Sequence, residues 1–129
     1  MTLRFFGDLE DAAPITDAMA TSSRRAAPVI AVMGPRAAVL NKRVVHLPVS
    51  GLDDLASTIE TSTASFGEPP PHRRFHGHLT LARTKGARVE LSDLQVEGTW
   101  LVTEVELVRS HLDREGARYE ALERFALGA

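Results

Sequence analysis

Residues 75–83 read Phe75-His76-Gly77-His78-Leu79-Thr80-Leu81-Ala82-Arg83, an apolar, β-favouring run with a histidine and a threonine two positions apart. In a strand, side chains at i and i+2 leave the same face, so His78 and Thr80 point one way while Leu79 and Leu81 point the other. One face packs; the other is free for chemistry. Strict alternation sends Arg83 to the packing side, so it can join His78 and Thr80 only if the strand first ends or twists.

Upstream, Gly67-Glu68-Pro69-Pro70-Pro71 stops a helix and delivers a stiff, extended linker into this strand. That helix runs from 52 to about 65, with Leu52, Leu55, Ala56, Ile59 and Phe66 at helical spacing. Before it come a strand over 43–49 and a β-branched run, Val29–Met33, that Gly34-Pro35 ends. Residues 1–6 predict a strand with Leu3 and Phe5 on one face and Thr2 and Arg4 on the other. Asp11 then caps a helix carrying Ile15, Ala18 and Met19, with Pro14 in its first turn, that frays over 22–25. Beyond Arg83 the pattern predicts a loop or short turn over 86–94, a long strand over 99–108, a tip at 110–116 and a last strand over 117–125. The order β, α, β, β, α, β, β, β mixes hairpins with helices, which is α+β with antiparallel pairing.

With 129 residues, 43% of them hydrophobic, the chain has apolar material for the core of a single domain spanning 1–129. No run approaches the roughly 18 apolar residues of a membrane span, and no basic-then-apolar leader is present. The chain has no cysteine, which excludes disulfide and thiolate chemistry and fits a reducing, cytoplasmic setting. A net charge of −2 argues against a binder of duplex DNA, which needs many cations to neutralise phosphates. Residues 69–89 nevertheless hold no acidic side chain, while Arg73, Arg74, Arg83, Lys85 and Arg88 stand there with His72, His76 and His78. Such a locally positive site suits a small anionic group or an RNA end; the competing reading is a solvated basic loop.

A second copy of the His78 pattern opens the chain. Met1-Thr2-Leu3-Arg4-Phe5-Phe6-Gly7 aligns with Leu79-Thr80-Leu81-Ala82-Arg83-Thr84-Lys85, setting Thr2 against Thr80 and Leu3 against Leu81. On that register the partner of His78 falls one position before Met1. A repeated His-x-Thr-x pattern resembles the two-histidine phosphoesterase superfamily, and its flanks resemble the RNA 2',3'-cyclic phosphodiesterase branch, also called 2'-5' RNA ligase. Residues 2–7, Arg73 with residues 75–83, and residues 116–125 carry the likeness in the family's order. The departure is the family's opening strand, its following helix and its first motif histidine, so the expectation is an N-terminally truncated member whose natural start lies upstream.

The resemblance implies a two-lobed α+β domain with antiparallel sheets, helices packed outside, a pseudo-two-fold central cleft and an incomplete first lobe. It further implies hydrolysis of 2',3'-cyclic phosphate at RNA ends or in cyclic nucleotides, with no metal or other cofactor, and reversible 2'-5' RNA ligation. Opening the cyclic phosphate needs a base to take a proton from water and an acid to protonate the leaving ribose oxygen. Histidine, with an ordinary pKa of about 6.5, serves either role. By resemblance His78 is one member of that pair, Thr80 and Thr2 donate hydroxyls to phosphoryl oxygens, and Arg83 holds phosphate through charge-assisted hydrogen bonds. Lacking the second histidine, the chain is expected to lose about 10² to 10⁴ in rate. Two other readings are a catalytically dead relative that still binds nucleotide or RNA ends, and a folded remnant without a nucleotide site. An opened sheet edge would also invite self-association.

The remaining histidines and aromatics read more plainly. His46 is an ordinary half-exposed strand position, and His111 stands beside a turn and faces solvent. His72, His76 and His78 invite a metal reading, but Pro69, Pro70, Pro71 and Gly77 exclude the helix that would gather His72 and His76, and no acidic residue stands nearby in sequence. Trp100 and Phe5 could stack a base, though apolar strand positions explain them equally well.

Overall fold

The computed structural model describes residues 1–85, 88, 90 and 94–128. Within them lie two helices, α1 (Ala13–Arg25) and α2 (Asp53–Ser62). Seven strands accompany them: β1 (Val29–Met33), β2 (Ala38–Leu40), β3 (Val44–Ser50), β4 (His78–Arg83), β5 (Gly98–Val102), β6 (Glu104–Asp113) and β7 (Gly116–Ala126). Strands β2, β3, β1 and β5 lie side by side in that order, β4 adds to β3, and β6 and β7 form a separate two-stranded sheet. Every ladder is antiparallel. This is the α+β class that the order of elements implied.

The helices form where apolar residues recur at helical spacing. Ile15 and Met19 of α1, and Leu55, Ala56 and Ile59 of α2, are all buried. Asp53 and Asp54 place negative charge in the first turn of α2, while Arg24 and Arg25 place positive charge in the last turn of α1, both matching the helix dipole. One core cluster joins these helices to Ala31 and Val49 of the larger sheet and to Val105, Leu107, Phe125 and Leu127 in the region of the smaller. Among the described residues, no helix is long and apolar enough to cross a membrane.

Several expectations need correction. Residues 1–6 form no strand. An alternating pattern becomes a strand only where an edge is available to pair with, and this segment is tied down by other bonds: the Glu68 amide donates to the Phe6 carbonyl at 2.8 Å, and Arg4 reaches across to the end of α2. The first helix does not fray over 22–25. Ser22 and Ser23 are buried there, and their carbonyls accept the Ala26 amide at 3.1 and 3.2 Å. Asp11 does bind the entering backbone, accepting from the Ala13 amide at 2.9 Å, but Ala12 holds the cap position.

The second helix ends at Ser62 rather than about 65, where the Thr63 hydroxyl donates to the Ile59 carbonyl. The single strand expected over 99–108 is two strands in different sheets, because the chain changes sheets at Thr103. The Leu127 amide donates to the Thr103 carbonyl at 2.8 Å and closes that corner. The expected tip over 110–116 shrinks to Arg114 and Glu115, since β6 and β7 stay paired out to Asp113 and Gly116. Strand β2 was not anticipated. Its turn into β3 uses Asn41 and Lys42 at φ of 51° and 60°, with the Arg43 amide donating to the Leu40 carbonyl at 3.1 Å. Of the loop expected over 86–94, residues 86, 87, 89 and 91–93 lie outside the described residues.

Candidate functional site

Register determines which side chains share a face of the larger sheet. Ser50 opposes Val32, Pro48 opposes His78, His46 opposes Thr80, and Ile30 opposes Leu101. These residues form one face, and the alternate positions Ala31, Val45, Leu47 and Val49 are buried on the other. The open face has an apolar half of exposed Ile30, Val32 and Leu101, and a polar half holding His46, His78 and Thr80.

Arg83 joins that polar half through an irregularity in the ladder. Val45 opposes Ala82 but His46 opposes Thr80, so Leu81 is an extra residue on β4. A bulge of this kind resets the alternation beyond it. Arg83 then opposes Val44, which shares a face with His46. His78, Thr80 and Arg83 therefore leave the sheet on one side, although counting by twos separates Arg83 from the others.

His78 is held from two directions. Its Nδ1 lies 2.9 Å from the His76 carbonyl oxygen. A carbonyl can only accept, so Nδ1 carries a hydrogen, and the neutral ring keeps its lone pair on Nε2. Next to it, the Gly77 carbonyl accepts the Val49 amide at 2.8 Å. A Cβ at residue 77 would stand 2.2 Å from the Val49 carbonyl oxygen, so the start of β4 can lie this close to β3 only because Gly77 has no side chain. The His46 ring stands 5.6 Å from that of His78, centroid to centroid, at an interplanar angle of 78°. The sequence reading passed over this neighbour, because one histidine in a strand carries no signal about which ring lies diagonally across the ladder.

His78 also lines a cleft of about 340 Å³ between the N-terminal segment and the linker into β4, together with Thr2, Phe5, Arg73, Arg74 and His76. Thr2 is thus brought to the same cleft as His78. Thr80 and Arg83 are exposed on the strand beyond and do not line it. Glu60 and Glu68 stand at its wall too, but the three cationic or protonatable groups of the linker favour an anion.

Arg4, another lining residue, works as a clamp. It donates to the Thr63 hydroxyl at 3.0 Å and to the carbonyls of Thr63, Phe66 and Glu68 at 3.3, 3.0 and 2.9 Å. Its guanidinium lies 4.7 Å from the centre of the Phe6 ring. Burial holds its pKa below the ordinary arginine value, against the opposing pull of the Glu60 carboxylate.

Other candidates are placed elsewhere. Among the described residues, no three His, Cys, Asp or Glu side chains gather as a metal site requires. Trp100 opposes the fully buried Ala31 and so shares its face of the sheet, but it stays exposed there, away from the cleft that the exposed Phe5 lines. His111 lies within β6 rather than beside a turn, with Nε2 3.0 Å from the Glu120 carboxylate, and that hydrogen bond holds the Glu120 carboxyl below its ordinary pKa.

No family model matches the chain. A curated protein of Aeropyrum pernix named RNA 2',3'-cyclic phosphodiesterase is 32% identical, over 95% of this chain and 78% of that protein. Among solved structures, TT0787 of Thermus thermophilus superposes with a TM-score of 0.85 at 27% identity, covering 98% of this chain and 76% of that one. Escherichia coli LigT complexed with 3'-AMP superposes with a TM-score of 0.74 at 31% identity, covering 99% and 76%.

Proposed function

The chain belongs to the RNA 2',3'-cyclic phosphodiesterase family of two-histidine phosphoesterases, and from that premise we propose that it opens 2',3'-cyclic phosphates at RNA ends or in cyclic nucleotides by acid/base catalysis through His78. The observation that carries this reading is the common face of His78, Thr80 and Arg83, created by the Leu81 bulge. Neutral His78 can take a proton at Nε2 from the attacking water; protonated, it can give one to the departing ribose oxygen. Its Nδ1 bond to the His76 carbonyl keeps the ring in the tautomer that either step requires. Thr80 and Thr2 donate hydroxyls to phosphoryl oxygens, and Arg83 holds the phosphate through charge-assisted hydrogen bonds. No step calls for a metal. A ribose 5'-hydroxyl attacking in place of water, with the P–O3' bond breaking and the 3'-oxygen taking the proton, would leave a 2'-5' linkage and a free 3'-hydroxyl, so the same groups would serve reversible ligation.

A second reading has a specific observation in its favour. The histidines that line the cleft among the described residues, His76 and His78, both stand on its β4 side, while the N-terminal side contributes Thr2, Leu3, Arg4 and Phe5. On that reading the cleft binds nucleotide or RNA ends without turnover. Hydrolysis of 2',3'-cyclic AMP by the wild-type chain and by His78→Ala, with and without EDTA, separates the two. The expected outcome is turnover that EDTA leaves intact and that His78→Ala lowers by about 10² to 10⁴. Saturable binding with no turnover in the wild type would assign the chain to the second reading.

A further inference from the structure

His46 takes no part in the scheme above, yet it is the side chain that stands against the reacting ring. It opposes Thr80 in the ladder, shares the face of His78 and Arg83, and is half-buried. Its ring meets that of His78 nearly at right angles, with centroids 5.6 Å apart. That is the edge-to-face arrangement that ring quadrupoles favour.

Among the described residues, the His78 ring has one polar restraint, the Nδ1 bond to the His76 carbonyl. A single hydrogen bond leaves an imidazole free to tilt about its axis, and tilting carries Nε2 away from any fixed phosphate. A perpendicular ring beside it removes that freedom. Among the described residues, Nδ1 of His46 is buried without a hydrogen-bond partner, so polar bonding through that nitrogen does not explain the contact. The contact is ring against ring.

We infer that His46 is a positioning residue for this reaction: its ring braces the His78 imidazole so that Nε2 keeps its aim at the phosphate. The inference rests on the acid/base role proposed for His78, and it makes a distinctive demand. An aromatic ring without nitrogens should do the same work, and an aliphatic side chain should not.

The test compares His46→Phe, which keeps the ring, with His46→Leu, which fills the strand position without one. Two readouts are taken: steady-state hydrolysis of 2',3'-cyclic AMP, and the side-chain ¹⁵N signals of His78 by NMR. His46→Leu should lower kcat about tenfold with KM within about twofold, the signature of a displaced rather than a lost catalytic group. It should also average the His78 nitrogen signals between tautomers. His46→Phe should keep kcat within about threefold of wild type and retain the single Nδ1–H tautomer. An unchanged kcat and tautomer in His46→Leu would overturn the inference, and so would equal losses in both variants. Should the wild type prove inactive, the catalytic reading of His78 fails by itself, and the tautomer comparison still decides whether His46 braces the ring.

Discussion

Arg83 reaches the polar face because Leu81 is one residue more than the β3 side of the ladder can match. The guanidinium is exposed at the end of its strand, so its grip on phosphate competes with water and falls at the low end of the roughly 1.5–3 kcal/mol of a charged hydrogen bond. Arg83→Gln should therefore raise KM for 2',3'-cyclic AMP about tenfold while leaving kcat within about threefold. A KM equal to that of wild type would remove Arg83 from the site. The His-x-Thr spacing was legible in the sequence because two residues of a strand always share a face. The arrival of Arg83 was not, since Leu81 is an ordinary strand residue with none of the glycine that often marks a bulge. His46 stayed hidden for a related reason: a diagonal contact depends on register, and register is not written in either strand alone.

Strands β3 and β4 form the element pair that presents the site, and Gly77 sets their approach. The Val49 carbonyl oxygen is backbone and cannot swing aside for a methyl group placed 2.2 Å away. Gly77→Ala should push the start of β4 outward, costing about 1–3 kcal/mol in urea unfolding and weakening the Nδ1 bond of His78. An alanine variant as stable and as active as wild type would show that the strands accommodate the methyl, and would loosen the link between this approach and the aim of His78. Elements held by their own periodicity were readable in advance: β1, β3, β4 and α2 fall within a few residues of where alternation or helical spacing put them. Elements defined by a partner were not. Residues 1–6 alternate as a strand does but are fastened by Arg4 and the Phe6 carbonyl instead. The β5–β6 run is β-favouring throughout, with no turn residue from Thr99 to Val108, while the chain passes from one sheet to another at Thr103.

At the scale of the whole molecule, the chain carries a net charge of −2 yet gathers cations around the linker that enters β4. Arg73 and Arg74 line the cleft beside His78. Asp53 lies 3.8 Å from Arg74, but both side chains are well exposed, and an exposed pair is worth too little to hold Arg74 away from a phosphate. The acidic surface elsewhere repels the body of a long polyanion, so recognition should be confined to the few nucleotides that pass the linker. For single-stranded RNA each neutralised phosphate contributes about −0.7 to the slope of log K against log salt. An RNA oligonucleotide ending in a 2',3'-cyclic phosphate, engaging Arg73, Arg74 and Arg83, should then show a slope of about −2. A mononucleotide, with a single phosphate, should show about a third of that. Replacing Arg73 and Arg74 with Gln should bring the oligonucleotide slope down to the mononucleotide value without moving kcat, because neither arginine takes part in the proton transfers. Binding measured from about 50 to 300 mM salt reads all three slopes. A steep oligonucleotide slope that survives the double substitution would place the RNA on some other surface, whereas a flat one would confine recognition to the terminal phosphate and its ribose.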